Sequence, residues 1–327
     1  MGITDKDFRH SKFFPIYGTD QGSANSPVLW CLISNRLFEA HDTHSHGATF
    51  SSPSSSHEIR LNMIGFVDDT YSGVNMFENN RQQIEEILKR AEFDAQLWSD
   101  LLNASGGALE LPKVKFRIIH FGFDTTGKPI MLEPTEKQRI VVDGNDGNGR
   151  VEHTPLGPNQ ARKMLGCYKE PSDTNAEALK HGSLNAMKKA KKVYNSGLNH
   201  RCTWRYYHGI FIPLVMYNFA ANSIKAKHLD KLQSKTTCMF LPILGYNRNT
   251  SKAIVYGPTE YGGIDMRIFR HEQGLAKVES LSKHWRSNES DANRILRIVL
   301  HWDQYIAGIS TPILENTTAT LSYLETV

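Results

Sequence analysis

The sequence predicts an α+β protein whose first half mixes short strands with helices and whose second half is mostly helical. Three observations carry this. Residues 59–77, 138–156 and 163–168 read as strand segments, the first two bent at a polar or glycine-rich tip. Ile84, Ile87, Leu88, Ala91, Ala95, Trp98 and Leu102 form one apolar stripe at helical spacing. From about Asp173 onward the pattern becomes helical and continues to about Gly308. With 327 residues, two domains are expected, and the boundary is placed near Pro171.

In chain order, residues 1–20 show no clear period. "SPVLWCLISNRLFEAH" (Ser26 to His41) reads as a helix with Leu29, Ile33, Leu37 and Ala40 on one face. Pro27 suits its first turn, with Ser26 as N-cap. "HDTHSHGATFSSPSSSH" follows as a serine-rich loop in which His41, His44 and His46 read as solvated. Next comes "RLNMIGFVDDTYSGVNMF", an apolar hairpin interrupted by Asp68 and Asp69, and then the long striped helix, which Gly106 and Gly107 end. "KVKFRIIHFGFD" reads as a strand, "QRIVVDGNDGNGRVEHTPL" as a hairpin, and "KMLGCY" as a short strand with a glycine inside it. "NAEALKHGSLNAMKKAKKVYNSG" opens the helical region.

Composition excludes several classes. Lys+Arg 38 against Asp+Glu 34 leaves a net charge of +4, so only local clusters can speak for a charged partner. The longest apolar run, Gly209 to Ala221, is too short to span a bilayer and contains Pro213. The first residues lack the pattern of a secretory signal. Four cysteines at Cys31, Cys167, Cys202 and Cys238 have neither zinc-knuckle nor disulfide-framework spacing. An intracellular location, cytoplasmic or nuclear, with no membrane partner is therefore expected.

The adjacent carboxylates are the chemically pointed feature. A two-residue hairpin turn favours Asn-Gly or Asp-Gly, and Asp-Asp fits it poorly. Two like charges at a partly desolvated tip repel, and a divalent cation relieves that.

Three further stretches complete a pattern: "DQGSANSPVLW" ahead of the first helix, "LELPKVKF" after the long helix, and "KMLGCY" later. In this order and at these distances the four stretches resemble the reverse transcriptase family, most closely the non-LTR (LINE-like) retrotransposon polymerases. "QGSANSP" is similar to the family's QGxxxSP motif, "FVDD" to its metal-binding hairpin, and "MLGC" to its primer-gripping hairpin. "HLDKLQSKTTCMFLPILGYNRNTSKAIVYGPTEYGGIDM" resembles the thumb and connection. The resemblance implies an incomplete right-hand palm over 1–171, an antiparallel sheet with helices, and a helical thumb and connection over 172–327.

It also implies roles. Asp68 is the primary ligand for Mg²⁺, or Mn²⁺, and Asp69 supports the metal or orients Asp68; the ions assist in-line nucleotidyl transfer. Phe66 packs beside the primer end, and Gln21 and Gly22 lie against the template base and incoming nucleotide. Lys113, with Lys115 as the alternative, is a general acid or charge partner at the leaving pyrophosphate. Without the resemblance it reads as a solvated strand-edge lysine. Leu165 and Gly166 grip the primer. Lys188, Lys189, Lys191 and Lys192 share one side of a helix at about 100° per residue, with Ala186, Ala190 and Val193 opposite. With Arg201 and Arg205 they face the phosphate backbone of the duplex. The partners implied are an RNA template, a DNA primer and deoxynucleoside triphosphates.

One expected element is missing. The family carries a further catalytic aspartate on an apolar strand ahead of the QG motif. Asp5, Asp7 and Asp20 do not sit in that pattern, and the fingers are absent. The chain is therefore expected to be inactive alone and to need an upstream polymerase fragment. The alternative is a non-catalytic nucleic-acid-binding remnant of a retroelement.

Overall fold

The computed structural model describes residues 26–67, 69–76, 81–145, 149–287 and 290–310. The fold is mixed α and β. The described strands pair only in antiparallel twos, giving five separate two-stranded sheets. By backbone contacts the chain forms two compact units. The first comprises 1–118, 134–156 and 297–327, and the second 119–133 and 157–296. Pro171 lies inside the second.

The first unit begins with α1 (Ser26–His44), which runs one turn into the expected loop. Part of the remaining serine-rich stretch is a strand. β1 (Ala48–Ser51) pairs with β2 (Glu58–Leu61), and the serines form the connection. β3 (Met63–Phe66) pairs with β4 (Asp69–Ser72), with Phe66 opposite Asp69. α2 (Arg81–Ala104) follows. Its predicted stripe faces inward, with Trp98 and Leu102 buried.

The face expected of α1 is not the one it buries. Leu29 and Ile33 are exposed, while Ser34 and His41 are buried. Polar groups turn inward here because hydrogen bonds receive them. Ser34 Oγ donates to Cys31 O, and His41 Nε2 meets Asp94 O at 3.1 Å.

The strand expected over "KVKFRIIHFGFD" is mostly absent. Leu111–Lys113 is a 3₁₀ turn, and Leu111 is buried with Ile140 and Val142 in a small core that Val114 and Phe116 also touch. Between that turn and Phe121 the backbone finds only one isolated bridge among the described residues, Arg117 with Leu156, so no ladder forms there. β7 (Ile140–Asp143) and β8 (Arg150–His153) form the expected hairpin.

In the second unit, β5 (Phe121–Phe123) pairs with β6 (Pro129–Met131), and β9 (Arg162–Met164) with β10 (Cys167–Lys169). "KMLGCY" is thus a hairpin rather than one strand. The helices are α3 (Ala176–Tyr194), α4 (His200–Tyr206), α5 (Ile212–Ala220), α6 (Ala226–Ile243), α7 (Lys252–Tyr256) and α8 (Phe269–Arg286), while α9 (Asp291–Ile306) belongs to the first unit from Arg297 onward. A π-helical turn, Tyr207–Phe211, joins α4 to α5. Pro213 follows that turn and has no amide hydrogen for the carbonyl of Gly209, so a regular α-helical ladder cannot pass through this point. The apolar run at 209–221 is core: Phe211, Ile212, Val215, Met216 and Phe219 are buried beside Leu229, Phe240 and Phe269. Among the described residues no helix is long and apolar enough to cross a membrane.

Candidate functional site

The β3–β4 hairpin is the candidate site's centre. Its paired ends, Phe66 and Asp69, leave Val67 and Asp68 between them. Val67 adopts φ 56, a left-handed conformation that strains a β-branched residue by roughly 1–3 kcal/mol. The awkward fit seen in the sequence therefore falls on Val67. Asp69 is exposed at the first position of β4, and Phe66 beside it is 58% exposed. Asp68, Gln21 and Gly22 lie outside the described residues.

Packing fixes the hairpin from behind. Gly65 lies so close to Phe38 that a Cβ there would sit 2.3 Å from the ring's Cζ. Phe38 in turn stacks on Trp98, centroids 5.4 Å apart and planes within 8°. Trp30 Nε1 donates to Val67 O at 2.5 Å, tying the turn to α1. A glycine on β3, a phenylalanine on α1 and a tryptophan on α2 thus form one stack.

Asp94 anchors the layer below, and the sequence reading missed it. Its carboxylate, only 2% exposed, accepts from His46 N at 3.0 Å and Gly47 N at 3.3 Å, and meets His46 Nδ1 at 2.9 Å. His41 and His46 are therefore not solvated loop residues: His41 is fully buried, edge-on to Trp98, and His46 is bound to Asp94. The signal was present, because Asp94 lies four residues before Trp98 on the apolar stripe of α2. A carboxylate on that face must find donors when buried.

Among the described residues no group of three or more His, Cys, Asp or Glu is arranged to hold a metal ion. The two-carboxylate motif includes Asp68 and so is not covered by that statement.

Lys113 sits at the end of the 3₁₀ turn, exposed, with Nζ 2.5 Å from Glu110 Oε2. It is not the strand residue the sequence suggested. Lys115 is exposed two residues further on.

In the second unit, Leu165 and Gly166 form the β9–β10 turn, with φ 48 and φ 87. Positive φ at both central positions defines the tight hairpin turn for which glycine is suited. Tyr217 holds it: its hydroxyl donates to Leu165 O, and its ring lies 3.1 Å from where a Cβ on Gly166 would stand. Cys167 beside the turn is buried, which raises its thiol pKa.

The lysine face of α3 forms as expected. Ala186, Ala190 and Val193 are buried, and Lys188, Lys191 and Lys192 are exposed. Lys189 departs from it and is half-buried at the seam. Arg201 and Arg205 are exposed on α4, whose first turn is capped by Asn199 Oδ1 accepting from Cys202 N at 2.9 Å. Beyond them, burial lowers the pKa of His208, and Arg267 adds to the effect. The hairpin residues belong to the first unit, and the β9–β10 turn and the cationic face to the second.

No family model, no curated protein and no solved structure matches this chain.

Proposed function

We propose that the chain is a reverse-transcriptase-type domain of retrotransposon origin, with a partial palm carrying Asp68 and Asp69 and a thumb that holds a template–primer duplex. The observation that carries this reading is the FVDD hairpin. A glycine–phenylalanine–tryptophan stack supports it from behind, and Phe66, Val67 and Asp69 stand in solvent. That is the disposition needed to present carboxylates to Mg²⁺ or Mn²⁺ and to a primer end. The Leu165–Gly166 turn and the exposed lysines of α3 support the same reading as primer grip and phosphate contacts.

The chemistry follows from the residues. Asp68, with Asp69 in support, would hold a divalent ion, which when bound would supply activation of the primer hydroxyl and charge neutralisation at the triphosphate. Gln21 and Gly22 line the template base and nucleotide, and Lys113 neutralises the leaving pyrophosphate, at the expense of its pairing with Glu110. Two carboxylates alone hold two divalent ions poorly, so the 327 residues by themselves do not polymerise. A carboxylate-bearing strand from an upstream polymerase fragment completes the site. β3 and β4 pair only with each other among the described residues, and Ile64, Phe66 and Val67 are exposed, which leaves room for such a strand.

Primer extension on an RNA template with Mg²⁺ or Mn²⁺ tests this. The isolated chain is expected to bind the template–primer and incorporate nothing. Incorporation that Asp68→Ala abolishes would overturn the inactivity. Salt-dependent binding unchanged by Asp68→Ala also fits the second reading, a non-catalytic nucleic-acid-binding remnant, which the exposed lysine row favours. Restored incorporation with an upstream fragment separates the two.

A further inference from the structure

We infer that Arg248, in the loop between α6 and α7, is a phosphate-contacting residue that extends the α3 lysine row, and that Tyr194 positions it. The inference rests on the nucleic-acid reading of α3 given above. Tyr194 is the last residue of α3. Arg248 Nη2 donates to its hydroxyl at 2.8 Å, and the guanidinium carbon lies 5.7 Å from the centre of its ring. The contact spans 54 residues of sequence, so chain proximity does not explain it.

The helix geometry makes a row of these groups. Lys188, Lys191 and Tyr194 follow at intervals of three, neighbours on one ridge rising about 4.5 Å each time. Arg248 therefore supplies the third cation of a line running about 9 Å along the axis. One strand of a duplex places a charge every 3.4 Å or so of its own axis, and the row matches two or three successive phosphates. Among the described residues neither Arg248 nor Lys188, Lys191 or Lys192 has a carboxylate partner. Their charge is left for something outside the fold. Tyr194 orients the guanidinium without neutralising it, which lowers the ordering cost of binding.

The ligand is nucleic acid rather than an anionic bilayer. A helix that lies on a membrane inserts its apolar face. The apolar face of α3, with Ala186, Ala190 and Val193, is already buried in the unit's own core.

The test measures binding of the whole chain to an RNA–DNA duplex over a salt series. Arg248→Ala is expected to weaken binding about threefold to tenfold and to reduce the log–log salt slope by about one. Tyr194→Phe keeps every charge and is expected to weaken binding about twofold to tenfold with the slope unchanged. If Arg248→Ala leaves affinity and slope at wild type while the triple change Lys188→Ala, Lys191→Ala, Lys192→Ala lowers both, the inference fails and the α3 reading stands. If the triple change also has no effect, the α3 reading itself fails. Tyr194→Phe behaving as wild type overturns the positioning role. Binding to phosphatidylserine vesicles as strong as to the duplex at equal salt overturns the choice of ligand. Both positions are at the surface, and circular dichroism confirms that the variants fold.

Discussion

Replacing Gly65 by alanine tests how the hairpin is held. The glycine's φ is not in the left-handed region, so its backbone accepts alanine, and in open space the change would stabilise by roughly 0.4–1 kcal/mol. Here the new methyl falls 2.3 Å from Phe38 Cζ, 2.9 Å from Cε2 and 3.4 Å from Cε1. Phe38 cannot simply swing aside, because its other face is stacked on Trp98. Overpacking of this kind costs about 1–3 kcal/mol. The net loss is therefore about 1–2 kcal/mol, or a fall in Tm of roughly 2–8 °C. Thermal unfolding followed by circular dichroism measures it. A second background sharpens the test, since Phe38→Leu removes the ring tip that the methyl meets. In that background Gly65→Ala is expected to cost nothing, a coupling of about 1–2 kcal/mol. A neutral or stabilising Gly65→Ala in the wild-type background refutes the stack. So does an equal penalty in both backgrounds.

Other expectations follow from the same contacts. Val67→Gly removes the strain of a β-branched residue at φ 56 and is expected to raise stability by about 1 kcal/mol, seen as a higher urea midpoint; a lower midpoint contradicts it. Asp94→Ala leaves the buried amides of His46 and Gly47 without an acceptor and is expected to cost about 3 kcal/mol in the same assay, whereas a loss under about 0.5 kcal/mol would mean the carboxylate holds nothing together. Burial lowers the pKa of His57, helped by His301 and Arg297, and that of His153, helped by Lys115, as it does for His208. All three favour the neutral form in the fold, so the unfolded chain takes up protons first. Their contribution is complete above about pH 6.5 and is lost as pH falls through the lowered folded values. Tm is expected to fall between neutrality and about pH 5, and a Tm that rises over that interval contradicts the assignment.

The elements that the sequence displayed best are those whose local signals agree with their packing. α2 and α3 have strong helical periods, and each buries the face its period marks. The glycine-rich connection after Asp143 announced the β7–β8 hairpin. Failures came where a distant partner decides. α1 turns Ser34 and His41 inward although Leu29 and Ile33 look like its core face, because His41 has a partner 53 residues away on α2. Asp94 finds its donors 48 residues earlier in the chain. Lys113 reads as a strand residue until Leu111 and Phe116 are seen to reach a core shared with Ile140. The serine-rich stretch hides a strand because β1 has only four residues, one of them an exposed phenylalanine. Of the candidate site, the hairpin and the lysine face were visible as patterns. The Gly65–Phe38–Trp98 stack, the strained Val67 and the Tyr217 hold on Leu165 were not, since each depends on residues brought together only by the fold.

The most direct measurement is the salt dependence of binding to an RNA–DNA template–primer by the wild-type chain and by the variant with Lys188, Lys191 and Lys192 changed to alanine. A polymerase thumb that contacts phosphates through this face predicts a log–log slope that is shallower by about three in the variant. No binding by the wild type, or the same slope for both proteins, would contradict it.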